Sequence, residues 1–180
     1  MQKLAFVMVG LLGLFGMPGR DMGYEFVTIP LENSIFITEY DESLKNRTIN
    51  LEIAAETVNN TILLPGEVFS FNEIIGKPTR AKGYRSAKVF IKGREVSGIG
   101  GGICQLSSAL YNAADLAGLE IIERHAHSKE VFYVPEGRDA ATAYGGIDFK
   151  FRNTFEYPIQ IVAEAANGML IVMLEAILEL

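Results

Sequence analysis

The chain has one cysteine, Cys104, in 180 residues, so no disulfide can form within it and packing alone must hold it together. It also lacks a basic surplus: 16 Lys and Arg stand against 22 Asp and Glu. Because these cations are scattered instead of gathered on one stripe, the electrostatic footprint of a nucleic-acid binder is missing. No internal repeat and no low-complexity segment occurs, which removes solenoid and linker readings. An apolar run from Leu4 to Met17 follows Lys3 but is broken by glycines. It falls short of the roughly 20 residues a bilayer-spanning helix needs and has the proportions of an export signal. No small-residue cleavage motif stands out between Gly16 and Gly23, so residues 1–23 are expected to be a signal peptide or N-terminal anchor. The protein is accordingly expected outside the cytoplasm, secreted or anchored at the cell envelope, with membrane contact only through this segment.

What is present is a globular balance: 49% hydrophobic residues, 21% charged and a net charge of -6. The expectation is a single domain of the α+β class, with two main helices packed on an antiparallel sheet with hairpins. Residues 24–46 read as an extended N-terminal segment and residues 47–175 as the domain proper. Asn46 to Asn60 carries apolar residues at helical spacing, with Thr48 as a cap and Asn59-Asn60 as a stop. Leu64-Pro65-Gly66 forces a turn, Glu67 to Phe71 reads as a short strand, and a loop runs on through Gly76, Pro78 and Gly83. Lys88 to Ile91 and Arg94 to Val96 flank Lys92-Gly93 as a tight hairpin. From Cys104 to Ala117 the apolar residues recur at three and four, and Gly118 ends the helix. Beyond it, Glu120 to His127, Glu130 to Val134, Thr142 to Tyr144 and Asp148 to Arg152 read as strands. Ile159 to Ala163 then pairs with Met169 to Met173 across Asn167-Gly168, and Glu175 to Leu180 is expected to fray.

Gly100, Gly101 and Gly102 stand just before Cys104, which opens a helix. Glycines there allow close approach of a substrate backbone. The helix dipole and free N–H groups favour a thiolate, and the same N–H groups suit the oxyanion of an acyl-transfer intermediate. A phosphate cradle is disfavoured because the Lys and Ser/Thr that complete a nucleotide-binding loop are absent. His125 and His127 are the only histidines, and a strand would send both rings to one face, one as base and the other in support. Asp139 or Asp148 would supply the carboxylate of a Cys, His, Asp order. The thiolate, two imidazoles and Asp139 would equally make a zinc set, although no second cysteine supports it; no cofactor is expected. Arg124 and Arg138 could clamp a carboxylate, Gln105 could touch substrate, and Ser107 and Ser108 would satisfy helix-end N–H groups.

The strings LPGEVFSFNEIIG, KGYRSAKVFIKGREVSGIGGGICQLSSALYNAADLAGLEIIERHAHS and YVPEGRDAATAYGGIDFKFRNTFEYPI resemble the VanW family over roughly Thr48 to Ala163. GGGICQLSSALYNAA and RHAHS are its most specific parts. The resemblance implies an envelope protein associated with glycopeptide-resistance gene clusters, with peptidoglycan stem peptides as its partner. It also implies L,D-transpeptidase activity, which transfers onto Cys104 as nucleophile and His125 or His127 as base. Larger family members carry a preceding wall-binding-type domain and a following adhesive module, so wall targeting is expected to come from this domain itself or a partner. No residue is recognisable as binding or destroying a glycopeptide. The rival readings are a non-catalytic peptidoglycan-binding module, in which the glycine run and Arg138 grip a stem peptide while the cysteine packs, and a zinc-dependent amidase.

Overall fold

Apolar alternation along the last strands builds the centre of the molecule. The computed structural model describes residues 25–91 and 94–180, so the expected signal (residues 1–23) and the Lys92-Gly93 turn lie outside the described residues. The elements in chain order are β1 (Phe26–Pro30), β2 (Phe36–Glu39), α1 (Lys45–Val58), β3 (Ile62–Leu63), β4 (Val68–Ser70), α2 (Phe71–Ile75), β5 (Ser86–Ile91) and β6 (Arg94–Ile99), then α3 (Cys104–Leu116), β7 (Glu120–Glu123), β8 (Lys150–Arg152), β9 (Ile159–Ala166) and β10 (Met169–Glu179). The architecture is α+β, with α1 and α3 packed on an antiparallel sheet. Among the described residues no helix is long and apolar enough to cross a membrane.

β9 and β10 form the expected hairpin, its turn held by Asn167 and Gly168 at φ 52° and 74°, the left-handed pair that a tight hairpin requires. On β9, Ile159, Ile161 and Ala163 are buried; on β10, Leu170, Val172, Leu174 and Ala176 are buried. This period of two directs one face inward. Against that face lie Leu51, Ala54, Ala55 and Val58 of α1 and Leu106, Ala109, Leu110, Ala113 and Ala114 of α3. β10 does not fray: its C-terminal half pairs with β1, Glu179 opposite Phe26, and its first half with β2, Met169 opposite Glu39. Where the partner changes, buried Ser34 fills in, its Oγ donating to the Leu174 carbonyl at 2.8 Å. Residues once read as a loose extension thus supply two strands on one edge of the central sheet.

A second sheet, ordered β4-β8-β7, adds Phe69 and Phe151, whose rings stack at 5.0 Å. Five expected strands are shorter than read or missing, β4 and β8 being trimmed to Val68–Ser70 and Lys150–Arg152. β7 stops at Glu123, because β8, its partner, runs only from Lys150 to Arg152 and the pairing is already irregular between Ile121 and Glu123. Glu130 to Val134 and Thr142 to Tyr144 are irregular. Conversely, α2 was not anticipated, although Ser70 accepts from the Glu73 amide at 3.2 Å and the Ser-x-x-Glu spacing is a capping signature. Thr48 lies inside α1 and caps nothing; the helix starts after Leu44 without a side-chain cap.

α1 also fixes the turn ahead of α3. Asn50 is fully buried and donates to the carbonyls of Arg85 and Gly101 at 3.0 and 2.9 Å, while its oxygen accepts from the Arg85 amide at 2.7 Å. Removing it strands buried backbone groups, each of which costs free energy when left unpaired. Asn50→Ala is expected to lower unfolding free energy by about 2–4 kcal/mol in a denaturant titration; a change within about 0.5 kcal/mol would mean that the clamp holds nothing.

Candidate active site

The expected helix N-terminus is in place: Cys104 is the first residue of α3, after a turn in which Gly100 and Gly102 take φ of 82° and 105°. A non-glycine residue is strained there. The space freed by the missing side chains is filled by the protein itself. A Cβ on Gly101 would stand 2.5 Å from the Lys88 carbonyl oxygen, and one on Gly102 would stand 2.5 Å from Arg47 Cγ. The first helix-turn amides with acceptors are those of Gln105, to Gly102 O at 3.1 Å, and Leu106, to Ile103 O at 2.9 Å. Among the described residues no backbone carbonyl is recorded as accepting from the amides of Gly102 or Cys104.

The segment facing this end of α3 is stapled down by polar side chains of the helix. Ser107 Oγ donates to Ala140 O at 2.6 Å, Ser108 Oγ accepts from Ala140 N at 2.9 Å, and Asn112 Nδ2 donates to Arg138 O at 2.7 Å. The two serines therefore bind the opposing segment and the Cys104 carbonyl, at 3.1 and 2.8 Å, in place of helix-end N–H groups. This staple brings the Thr142 carbonyl to 3.6 Å and its hydroxyl to 3.7 Å from Cys104 Sγ. It also presents the Asp139 carboxylate to the loop after β7, itself tied by Ala141 N donating to His125 O at 2.7 Å.

Asp139 collects that loop. Its Oδ2 accepts from the His127 backbone N–H at 2.6 Å and lies 2.5 Å from His127 Nδ1, while Oδ1 pairs with Arg124 at 3.0 Å. Arg124 also donates through Nε to the Asp139 carbonyl at 2.6 Å. With Nδ1 engaged by Asp139, Nε2 is the ring nitrogen left free, and Cys104 and His127 each act on the other's ionisation. Burial alone would push the thiol up, but the His127 hydrogen bond and charge and the Thr142 groups hold it below the ordinary thiol range. Burial alone would lower the imidazole, yet Cys104 and Asp139 raise it. Both shifts favour the same state, a thiolate beside an imidazolium. Asp139, desolvated but facing His127 and Arg124, stays below the usual carboxylate range.

The two histidines do not share a face, since the strand that would have aligned them ends at Glu123. His127 is 10% exposed inside the site, whereas His125 is 43% exposed and lies 3.0 Å from Glu123. Glu123 is itself drawn down to about 2 by Lys150 and the Asp148 amide. Asp148, the other candidate carboxylate, is spent on Ser70 at 2.6 Å and on the Asn72 amide at 2.9 Å. Arg138 turns back to α3, bonding Asn112 and Asp115 at 2.6 Å each, and its guanidinium lies 4.9 Å from the Tyr111 ring centre. Gln105 is fully buried: its amide nitrogen donates to Thr38 Oγ1 at 2.7 Å and Glu39 O at 2.9 Å, and its oxygen accepts from Arg47 at 2.7 Å. Cys104, His127 and Asp139 lie in a line, and among the described residues no three His, Cys, Asp or Glu side chains are placed to share one metal ion.

Two residues join the site unannounced by any motif. Arg47 reaches it from α1, its guanidinium 5.7 and 5.9 Å from the ring centres of Phe132 and Tyr133. Tyr133 meets the His127 ring edge-on at 6.4 Å. Burial and the neighbouring thiolate push its phenol far above the usual range, so it stays a neutral donor. Beside His127 and Asp139 a cleft of about 280 Å³ opens, lined also by Ala126, Val131, Pro135 and Gly137.

Alkylation of Cys104 by iodoacetamide is expected to rise through an inflection below the ~8.5 of an ordinary thiol. His127→Ala should move that inflection upward, because the cation that holds the thiolate is gone, and Asp139→Asn should do so in part; His125→Ala should leave it in place. An inflection indifferent to His127→Ala would show that ring and sulfur are uncoupled.

No solved structure matches the chain. It is 45% identical over 139 residues to the uncharacterized protein YoaR of Bacillus subtilis (strain 168), covering 77% of this chain and 46% of that one. It is 33% identical over 122 residues to the vancomycin B-type resistance protein VanW of Enterococcus faecalis (strain ATCC 700802 / V583), covering 65% of this chain and 44% of that one. The chain thus spans under half the length of these curated relatives. The model described as VanW like protein matches residues 46–174, which include Arg47, the glycine turn, Cys104, His127 and Asp139, and the chain belongs to the VanW family.

Proposed function

We propose that the protein is a cysteine acyltransferase of the cell envelope acting on peptidoglycan stem peptides, in the manner of an L,D-transpeptidase or, with water as acceptor, a carboxypeptidase. The observation that carries this reading is that Cys104 and Asp139 both act on His127, the carboxylate through its hydrogen bond to Nδ1 and the thiol through the interaction that lowers its own pKa and raises that of the ring. That is the arrangement nucleophile, base and orienting acid need. The family, and a relative named for vancomycin resistance, support a wall-associated setting. The extracytoplasmic location rests on Lys3 and the apolar run after it. Glycopeptide resistance itself is no part of the proposal.

In the first step the Cys104 thiolate attacks the carbonyl carbon before the terminal residue of a stem peptide, and the resulting oxyanion turns to the amides of Gly102 and Cys104. The C–N bond breaks as His127, entering as imidazolium, gives its proton to the departing amine. A thioester and a neutral imidazole remain. An amine of a second stem, or water, then attacks the thioester; His127 takes the acceptor's proton and the thiolate leaves. Asp139 stays ionised throughout and fixes the ring with Nδ1 toward itself.

Incubation of the purified protein with muropeptides, read by mass, should show products that lose or exchange the terminal residue, together with an acyl adduct on Cys104. Cys104→Ala should reduce product by about 10³-fold or more. Equal products from the variant would remove the covalent mechanism and leave a binding module.

A further inference from the structure

Arg47 is a cation of the site with no carboxylate partner among the described residues. Arg124 is paired with Asp139, Arg138 with Asp115 and Arg152 with Glu120. Among the described residues no carboxylate lies within ion-pair reach of Arg47; the titratable groups that face it are Tyr133 and Cys104. Its position is nevertheless built. The stem passes over Gly102, where a Cβ would stand 2.5 Å from Arg47 Cγ. One terminal nitrogen is held 2.7 Å from Gln105 Oε1, and Gln105 cannot flip, because its other end donates to Thr38 and Glu39. Phe132, 79% exposed, and Tyr133 shelter the guanidinium from water.

A guanidinium remains protonated in proteins, and a half-desolvated one with no carboxylate paired to it gains when an anion arrives. Its planar fork suits two coplanar oxygens. Four of its five N–H donors are not used by Gln105, the one described side chain bonded to it. Building on the acyl-transfer reading above, we infer that Arg47 receives the free α-carboxylate of the peptide's last residue, so that the preceding carbonyl lies over Cys104 and the leaving group is a single C-terminal amino acid. Arg47 thereby sets which bond is cut, and Gln105 is its positioning residue.

The test uses the Cys104→Ala protein, which cannot turn over, and two probes, Nα-acetyl-L-lysyl-D-alanine and its C-terminal amide, with binding followed by NMR titration. The free acid should bind about 10- to 100-fold more tightly than the amide, the range expected for a charge-assisted hydrogen-bonded pair. In Cys104→Ala/Arg47→Gln the two probes should bind alike, and Arg47→Lys should keep part of the preference. No preference in Cys104→Ala, a measurement that needs no Arg47 variant to fold, overturns the inference. So does a preference that survives Arg47→Gln, or an Arg47→Gln variant in the Cys104 protein that shifts thiol ionisation while the acid preference stays intact. If the acid preference holds and depends on Arg47 while wild-type protein forms no acyl adduct, the carboxylate site stands and the acyl-transfer reading falls.

Discussion

The Asp139 carboxylate is the constraint on which the rest of the site depends. The loop after β7 has no strand partner, since β8 begins only at Lys150, opposite Glu123 where β7 ends. Asp139 does for that loop what a neighbouring strand would have done. It binds the His127 amide and ring on one oxygen and Arg124 on the other, at distances from 2.5 to 3.0 Å. Three donors on one carboxylate fix a ring more firmly than a single charge-assisted bond, and they keep the acid ionised. Asp139 is itself held because its chain neighbours Arg138 and Ala140 are bonded to Asn112, Ser107 and Ser108 of α3. One helix therefore carries the thiol at its first residue and sets His127 through the segment on its flank.

That arrangement explains which parts of the molecule could be read from residues alone. The β9–β10 hairpin and α3 were legible because burial imposes a period of two on one and three to four on the other, and Asn167-Gly168 and Gly118 mark their ends. The thiol at a helix start was legible from the glycine run, as were the later histidines and Asp139. The choice between His125 and His127 was not: spacing settles it only for a strand, and the strand stops short because its partner is three residues long. Tertiary context overrode local propensity there. The first residues of the described chain were legible as extended but their place was not, since the edge of β10 that they cover is made more than a hundred residues later, as the Ser34–Leu174 bond shows.

Arg138, Gln105 and Arg47 form a sharper lesson. Arg138 and Gln105 adjoin Asp139 and Cys104 in sequence, and adjacency suggested contact with substrate. A helical residue next to a nucleophile, however, points about 100° away from it, and Gln105 is buried among Thr38, Glu39 and Arg47. The guanidinium that holds Gln105 in place comes from α1, 58 positions earlier. No motif spans that distance. The one hint was the glycine at 102, whose missing side chain was read as room for a substrate and is occupied by the Arg47 stem.

Charge in the site does not cancel, and this has a consequence for turnover in the proposed reaction. Thiolate matches imidazolium and Asp139 matches Arg124, so among the groups around the thiol Arg47 remains as one uncompensated cation. Acylation does not change that balance: the thiolate becomes a neutral thioester while His127 loses its proton to the leaving amine. The site therefore attracts an anionic chain end before and after the first step, and affinity alone would retain the product. What changes is the product. Within the peptide its terminal residue carries only a carboxylate, but once freed its amine takes a proton and the residue becomes a zwitterion. Its new ammonium then faces the same cation that drew the carboxylate in, and like charges at close range in a desolvated setting repel strongly. In the proposed reaction that repulsion offsets part of the carboxylate's attraction and favours departure of the leaving residue.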